Sequence, residues 1–494
     1  MIQTSKLFAH SESLGAFSPY YYKDHSGKFV FRESFEEIIA QYPEKLEIDI
    51  SALQCVLSRK FILGDKTIVN GIYRSPWMGK PNSELNQWEF HHLPEHKEVI
   101  RSQEEIAATL FELLCEEVKD AVGPAKSVGI LLSGGMDSRV VAGVLDQLIK
   151  DKKIPALKVV AYTWGNEDSR DVNYARAIAK RSGWDWKHYV VGPEKLWRNI
   201  VLAGKRGCEF SGLHLHAMPD IAVDAVEDVD IILAGSYGDS VGRAEFSGMH
   251  LTSLRPIDFS VRNFAHLISK SGQTKIKKSL RDEVSRYRRL FPRKHLYQKN
   301  ELDYQLHYMR RMLNPCMEVI HGKVPLYQAF TSPKVFGYIW SMDASCRGDG
   351  LYEEILRGPL KHLADIPWAR TGLKYPEKKG TPDGFTKRHH DYGHFLQNDL
   401  TGYIHETVQN LHTTAINQKQ IQELFKLTRK YQGFNFDYLE ALAVAVSFII
   451  FSNTYDVLAG PNTHDNLISR IIDPAYLTGE YHLKQKLRQL QKVL

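Results

Sequence analysis

The residues with the clearest chemical meaning lie in one short segment. An apolar run, Val128-Gly129-Ile130-Leu131-Leu132, ends in Ser133-Gly134-Gly135-Met136-Asp137-Ser138-Arg139. The run reads as a buried parallel strand, and the residues after it as a loop opening into a helix at Asp137. Adjacent glycines let the backbone approach a ligand closely. The exposed N–H groups and the helix N-terminus then form an anion site, to which Ser133 and Ser138 add hydroxyl donors. An aspartate beside phosphate is unfavourable without a cation between them, and Mg²⁺ prefers a carboxylate together with phosphate oxygens. A tight strand-to-helix corner could use the same glycines, but SGG-x-D-S between an apolar strand and a helix is far narrower than SGG alone. The segment is no Walker P-loop, having no GxxxxGK[ST], and no dinucleotide fingerprint, having no GxGxxG.

The elements around this loop alternate. SQEEIAATLFELLCEEVKDAV has helical spacing and a capping box at Ser102–Glu105. SVGILLS, KVVAYTWG, HYVVG and DIILAG read as strands, and RVVAGVLDQLIK and VNYARAIAKRSG as helices between them. This alternation predicts an α/β fold with a doubly wound parallel sheet. Beyond about residue 250 the chain reads as mostly helical, with a Gly/Lys/Pro-rich loop at 371–388. Residues 1–100 differ. PYYYKDHSGKFVF predicts a hairpin around Asp24-His25-Ser26-Gly27. FEEIIAQY and ISALQCVLSRKFILG predict helices, and TIVNGIYR a strand. Pro76, Pro81 and Pro94 break up the next stretch, so 78–100 reads as an extended linker.

Composition narrows the function classes. A chain of 494 residues allows two to four domains at roughly 100–200 residues each. Hydrophobic residues make up 43% and charged residues 25%, which excludes disorder, collagen and coiled coil. The net charge of +6 comes without a basic run or arginine–aromatic tract, so no nucleic-acid partner is expected. The 5 cysteines form no CxxC pair, and their odd number fits reduced thiols in a cytoplasm. The start, MIQTSKLFAHSESLG, has no signal-peptide core. The most apolar stretch, Leu439 to Phe451, is 13 residues against the roughly 20 a bilayer requires. It reads as a buried helix, with no membrane partner.

SGGMDSR resembles the pyrophosphate loop of the ATP pyrophosphatase (PP-loop) families, most closely that of the asparagine synthetase family. VVAYTWGNEDSRDVNYARAIAKRSGWDWKHYVV, IILAGSYGDSVGR, VIHGKVPLYQ and GDGLYEEILRGPLKHLADIPWARTG are similar to later segments of that family in the same order, from about residue 105 to at least 390. The resemblance implies the adenine nucleotide α-hydrolase (PP-loop) fold. It divides the chain into a synthetase domain over 101–494, with an α/β core at about 105–250 and a mostly helical 251–494, and a small α+β domain over 1–100. The latter resembles the second half of the family's glutaminase domain. That glutaminase uses an N-terminal cysteine nucleophile, whereas this sequence begins Met1-Ile2-Gln3 and first reaches a cysteine at Cys55. A truncated, inactive remnant is expected. The implied activity is that of an AMP-forming carbon–nitrogen ligase. It adenylates a small-molecule carboxylate with ATP, and ammonia or an amine then displaces AMP. The nitrogen comes from free ammonia, an amine or a separate glutaminase; whether the chain forms a homo-oligomer stays open.

Carried over residue by residue, the resemblance assigns ATP binding to Leu131, Ser133, Gly134, Gly135, Met136, Asp137, Ser138, Thr163 and Gly235, and Mg²⁺ binding to Asp137 and Asp239. The departures are informative. The family's second loop, roughly SGEGxDE, becomes Ala234-Gly235-Ser236-Tyr237-Gly238-Asp239-Ser240. In Ile320–Gln328, His321 replaces a glutamate and the terminal aspartate is lost, which disfavours free aspartate as substrate. Glu353 stands where a pyrophosphate-binding lysine is expected, leaving Arg139, Arg370 and Lys374, with Arg357 nearby, as replacement cations. Tyr237 and His321 form a candidate pair for activating the amine, set against the reading that Tyr237 packs and His321 caps a turn. His214, His216, His389 and His390 invite a zinc reading, but HxH and HH pairs arise by chance among 21 histidines, and no third ligand is suitably spaced. Two rival readings are a PP-loop RNA-modifying ligase, opposed by the lack of paired cysteines, and a degenerate nucleotide-binding scaffold without turnover. The eroded second loop motivates the scaffold; the intact SGGMDS opposes it.

Overall fold

Asp24 shapes the first hairpin. Its Oδ1 accepts hydrogen bonds from Ser26 N (2.8 Å), Ser26 Oγ (2.6 Å) and Lys28 N (3.0 Å). This turn joins β1 (Tyr20–Lys23) to β2 (Phe29–Arg32), antiparallel, and β3 (Tyr73–Arg74) pairs with the other edge of β1. Of the strand expected in TIVNGIYR, the structure keeps only β3. The helix Phe35–Gln41 is capped by Ser34, and Ile50–Arg59 by Asp49. Residues 78–100 are not simply extended. They contain a second hairpin, β4 (Gly79–Asn82) and β5 (Gln87–Phe90), in which Pro81 pairs opposite Trp88. A two-stranded ribbon has free edges, where proline's missing N–H costs no ladder bond. The computed structural model describes residues 4–82, 84, 86–214, 216, 218–249, 254, 257, 261, 263–268, 273–374, 377, 379–431, 435–458, 477–479 and 481–483. The expected loop at 371–388 lies partly outside these.

The central sheet has the strands β6 (Ser127–Leu131), β7 (Lys158–Trp164), β8 (Asp185–Tyr189), β9 (Ile231–Ala234) and β10 (Leu326–Gln328). All pairings are parallel, in the order β10-β9-β6-β7-β8. The helix Gln103–Val122 leads in through the expected capping box at Ser102 and Glu105. Met136–Lys150 and Arg170–Ser182 are the crossovers from β6 to β7 and from β7 to β8. The chain winds outward from β6 to β8, then returns to place β9 on the other side of β6. In such open sheets the crevice at this reversal, beyond the carboxyl ends of the strands, is where ligands bind. The fold is therefore α/β with a doubly wound parallel sheet and a helical C-terminal region.

The first 100 residues share the buried core of the rest. Leu14, Phe35 and Val56 belong to the same apolar cluster as Val128, Leu233 and Phe451. Buried ion pairs tie the two parts together. The Arg74 guanidinium grips Glu318 through two bonds of 2.8 and 2.6 Å and reaches Glu209 at 3.3 Å. Arg310 meets Asp65 at 2.8 Å.

Among the described residues one helix, Phe436–Tyr455, is long and apolar enough to cross a membrane. It is 20 residues, longer than the apolar run read from sequence, because helical structure continues through the polar residues at both ends. Most of it is buried. It packs on the Pro193–Lys205 helix, where Ser447 Oγ donates to Ile200 O at 2.9 Å.

Breaking a buried ion pair by removing one partner costs about 3–5 kcal/mol. Arg74→Met is expected to lower unfolding stability in urea by that order, because Glu318 loses its bidentate partner.

Candidate active site

The loop after β6 is self-bonded. Ser133 Oγ accepts from Gly135 N at 3.1 Å, Ser138 Oγ accepts from Ser133 N at 3.2 Å, and the two hydroxyls lie 3.1 Å apart. The helix starts at Met136, and no side chain caps it, so its first-turn N–H groups retain capacity for an outside anion. The loop after β9 lies directly against this turn. A Cβ on Gly235 would fall 2.5 Å from Ser138 N, and one on Gly238 would fall 2.6 Å from Asp137 Cβ. Only glycine permits either approach. Between them Tyr237 takes a left-handed conformation at φ 71°, and Tyr352 Oη donates to Gly238 O at 2.9 Å. The two loops share a cavity of about 320 Å³ lined by Leu131, Ser133, Gly135, Asp137, Ser138, Gly235, Tyr237 and Asp239.

The cavity is acidic. Burial raises the Asp137 carboxyl to about 6, partly opposed by Arg243. Burial likewise raises Asp239, with Arg243 opposing and Glu245 adding to the rise. Asp137 Oδ1 is buried without a hydrogen-bond partner, while Oδ2 accepts from Arg243 Nη2 at 3.1 Å. Among the described residues no group of three His, Cys, Asp or Glu side chains could hold a metal. The orphaned Asp137 oxygen and the neighbouring Asp239 suit a hard cation that takes its remaining ligands from phosphate and water. Arg243, absent from the cations named on sequence grounds, is outside the cavity lining but pairs with Asp137 from beside it. The signal for it is its place four residues after Asp239 in the same glycine-rich loop.

Not every candidate joins the cavity. Arg139 is fully buried, and its guanidinium donates to the carbonyls of Ile366 (2.7 Å), Pro367 (2.6 Å) and Gly134 (3.4 Å). It braces the loop from behind, and its donors are directed at carbonyls. Met136 is core, and Gly134 is the loop's packed rear, with Ala369 N donating to its carbonyl at 3.1 Å. The Thr163 hydroxyl is spent on Leu132 O (2.9 Å) and Trp186 Nε1 (3.1 Å), while the next residue, Trp164, lines the cavity. Tyr237 Oη donates to Asn314 Oδ1 at 3.0 Å. His321 is not its partner. His321 Nδ1 accepts from Leu326 N at the amino end of β10, and its ring stacks on Phe17 at 4.1 Å beside a separate cavity of about 530 Å³. The site lies at the opposite, carboxyl end of the sheet. Arg370 and Lys374 are exposed, Arg370 lying over Trp368. Glu353 pairs with Arg357 at 3.5 Å.

His214 and His216 line the cavity, and burial lowers them to about 4 and about 3. They face the cavity as neutral rings. Cys55 is buried and its thiol is pushed up to about 12, which removes it as a nucleophile.

Residues 109–311 match the family model of asparagine synthase. A 7-cyano-7-deazaguanine synthase from Prochlorococcus marinus is 27% identical over 130 residues, 26% of this chain and 55% of the relative. The chain thus spans about half the length of that curated relative. The NMN synthetase from Francisella tularensis aligns at 18% identity and TM-score 0.21, covering 30% of this chain and 60% of its own. The U34-tRNA thiolase NcsA from Methanococcus maripaludis aligns at 13% identity and TM-score 0.20, covering 44% and 79%.

Two variants test this geometry. The folded Asp137 value of about 6 lies above that of an unfolded aspartate, about 3.9. The folded state therefore holds more protons in that window, and stability falls as pH rises through it. Without metal, Asp137→Asn is expected to be more stable than the parent at pH 7 by about 1–3 kcal/mol, with the difference vanishing below about pH 4. The same variant is expected to lose Mg·ATP-dependent turnover. Chemical denaturation across pH, paired with pyrophosphate release, checks both. Gly235→Ala is expected to cost about 1–3 kcal/mol by overpacking and to lower turnover on the order of a hundredfold by shifting the loops. Gly402→Ala, with open space at its Cβ, is the neutral control.

Proposed function

We propose that this chain, whose residues 109–311 form an asparagine synthase-like ATP pyrophosphatase domain, is an AMP-forming carbon–nitrogen ligase. A carboxylate oxygen attacks the α-phosphorus of ATP; the Pα–O bond to pyrophosphate breaks, and its electron pair leaves with pyrophosphate. The nitrogen of ammonia or an amine then attacks the acyl carbon, AMP departs, and the nitrogen loses a proton. The observation supporting this most directly is the contact of the two glycine loops at the reversal point of the sheet, which brings the uncapped helix N-terminus and two partly buried carboxylates to one cavity.

The roles follow from position. The uncapped first-turn N–H groups of the helix from Met136 receive the phosphates, with the Ser133 and Ser138 hydroxyls beside them. Leu131 and Trp164 supply an apolar wall for the base. Asp137 and Asp239 would hold Mg²⁺, which lends phosphate-neutralising charge when bound. Away from the loops the wall is Phe246, Tyr308, Met309, Leu313 and Met317, and the charged lining residues are Asp137, Asp239 and Glu245. Along that wall no Lys or Arg stands among the described lining residues, so a second carboxylate on the acceptor would meet no counter-ion there. The acceptor is therefore a carboxylate on an apolar body, and free aspartate is a poor substrate.

The test is product identification. The protein is incubated with Mg·ATP, hydroxylamine and a panel of aliphatic, aromatic and amino-acid carboxylates. AMP and pyrophosphate are expected in equal amounts, most with apolar carboxylates. ADP and phosphate would contradict the reading. Nucleotide binding without release from any member would favour a scaffold without turnover.

A further inference from the structure

We infer that Arg243 supplies the positive charge that meets the departing pyrophosphate; this rests on the nucleotide reading of the site above. Arg243 lies just past the second loop and returns to the first. Its Nη2 lies 3.1 Å from Asp137 Oδ2, in the first turn of the helix whose N–H groups face the phosphate position. Its Nη1 lies 3.0 Å from Asp349 Oδ1. The rings of Tyr352 and Trp368 flank the guanidinium at 5.7 and 5.9 Å. A cation placed this way is held by its surroundings and loses little freedom on meeting an anion. Its planar fork suits phosphate oxygens as it suits carboxylates.

The other cations are otherwise engaged. Arg139 is committed to the three carbonyls behind the loop. Arg370 and Lys374 are exposed. On the helix Asp349–Arg357, Glu353 pairs with Arg357, and Asp349 at the start of the helix receives Arg243. When the Pα–O bond breaks, its electron pair adds negative charge to the leaving oxygens, and Arg243, a partly buried guanidinium held against Asp137, is placed to meet it.

Calorimetric titration of the full chain with inorganic pyrophosphate and, separately, AMP, both with Mg²⁺, tests this. Arg243→Gln keeps an amide donor toward Asp349 and is expected to weaken pyrophosphate binding about tenfold or more, with AMP changed less than about threefold. Arg243→Lys keeps the charge and is expected to fall between parent and Gln. Arg370→Gln and Lys374→Gln are expected to stay within about twofold for both ligands. If Arg243→Gln binds pyrophosphate like the parent, or if the Arg370 or Lys374 variant loses it instead, the assignment is overturned. If Arg243→Gln does not fold, Arg243→Met, also neutral, decides, and unchanged pyrophosphate affinity there overturns the assignment too. If the parent binds neither AMP nor pyrophosphate, the nucleotide reading itself has failed and takes the assignment with it.

Discussion

The site depends on one close approach: the backbone of Gly235 lies against the Asp137–Ser138 peptide at a distance no side chain tolerates. This contact joins the carboxyl ends of β6 and β9, the two strands between which the sheet reverses direction. Asp137 and Asp239 thereby enter one cavity, and Arg243 comes within reach of Asp137. The surrounding fold keeps the approach in place. Arg139 and Ala369 anchor the rear of the first loop through the Gly134 carbonyl. Tyr352 holds the second through the Gly238 carbonyl.

Bringing carboxylates together under cover is unfavourable, and it raises both Asp137 and Asp239 above the ordinary carboxylate range. Arg243 offsets part of that cost. The remainder favours a proton on the pair or a further cation beside it. The N-terminal residues contribute from the other side. Leu14 O and Asn314 Oδ1 accept from Tyr237 Oη, and Gln328 Nε2 donates to Gly15 O. Leu14 therefore helps fix the second loop through Tyr237.

What could be read from sequence was local. The SGG-x-D-S loop, its strand and its helix are consecutive, so backbone chemistry alone defines them. The hairpin at Asp24 and the capping box at Ser102 are legible for the same reason. The features that escape a sequence reading depend on distant contacts. β10 has only three residues and is a strand because β9 lies beside it. Pro81 reads as a breaker because nothing local reveals that its ribbon has a free edge. His321 precedes β10, and a residue before a parallel strand lies at the edge of the sheet remote from the loops that bind ligand. The direction of Arg139 is set by carbonyls at Ile366 and Pro367, more than two hundred residues away. Arg243 does not stand out in sequence because it lies on the loop facing the helix of Glu353 and not on that helix.

In the proposed reaction the cavity directs a carboxylate onto the α-phosphorus. Oxygen labelling addresses it most directly. With a carboxylate that supports turnover, labelled with ¹⁸O at both oxygens, the account predicts one labelled oxygen in the phosphate of AMP and none in pyrophosphate. Label in inorganic phosphate, or unlabelled AMP formed from water, would contradict it.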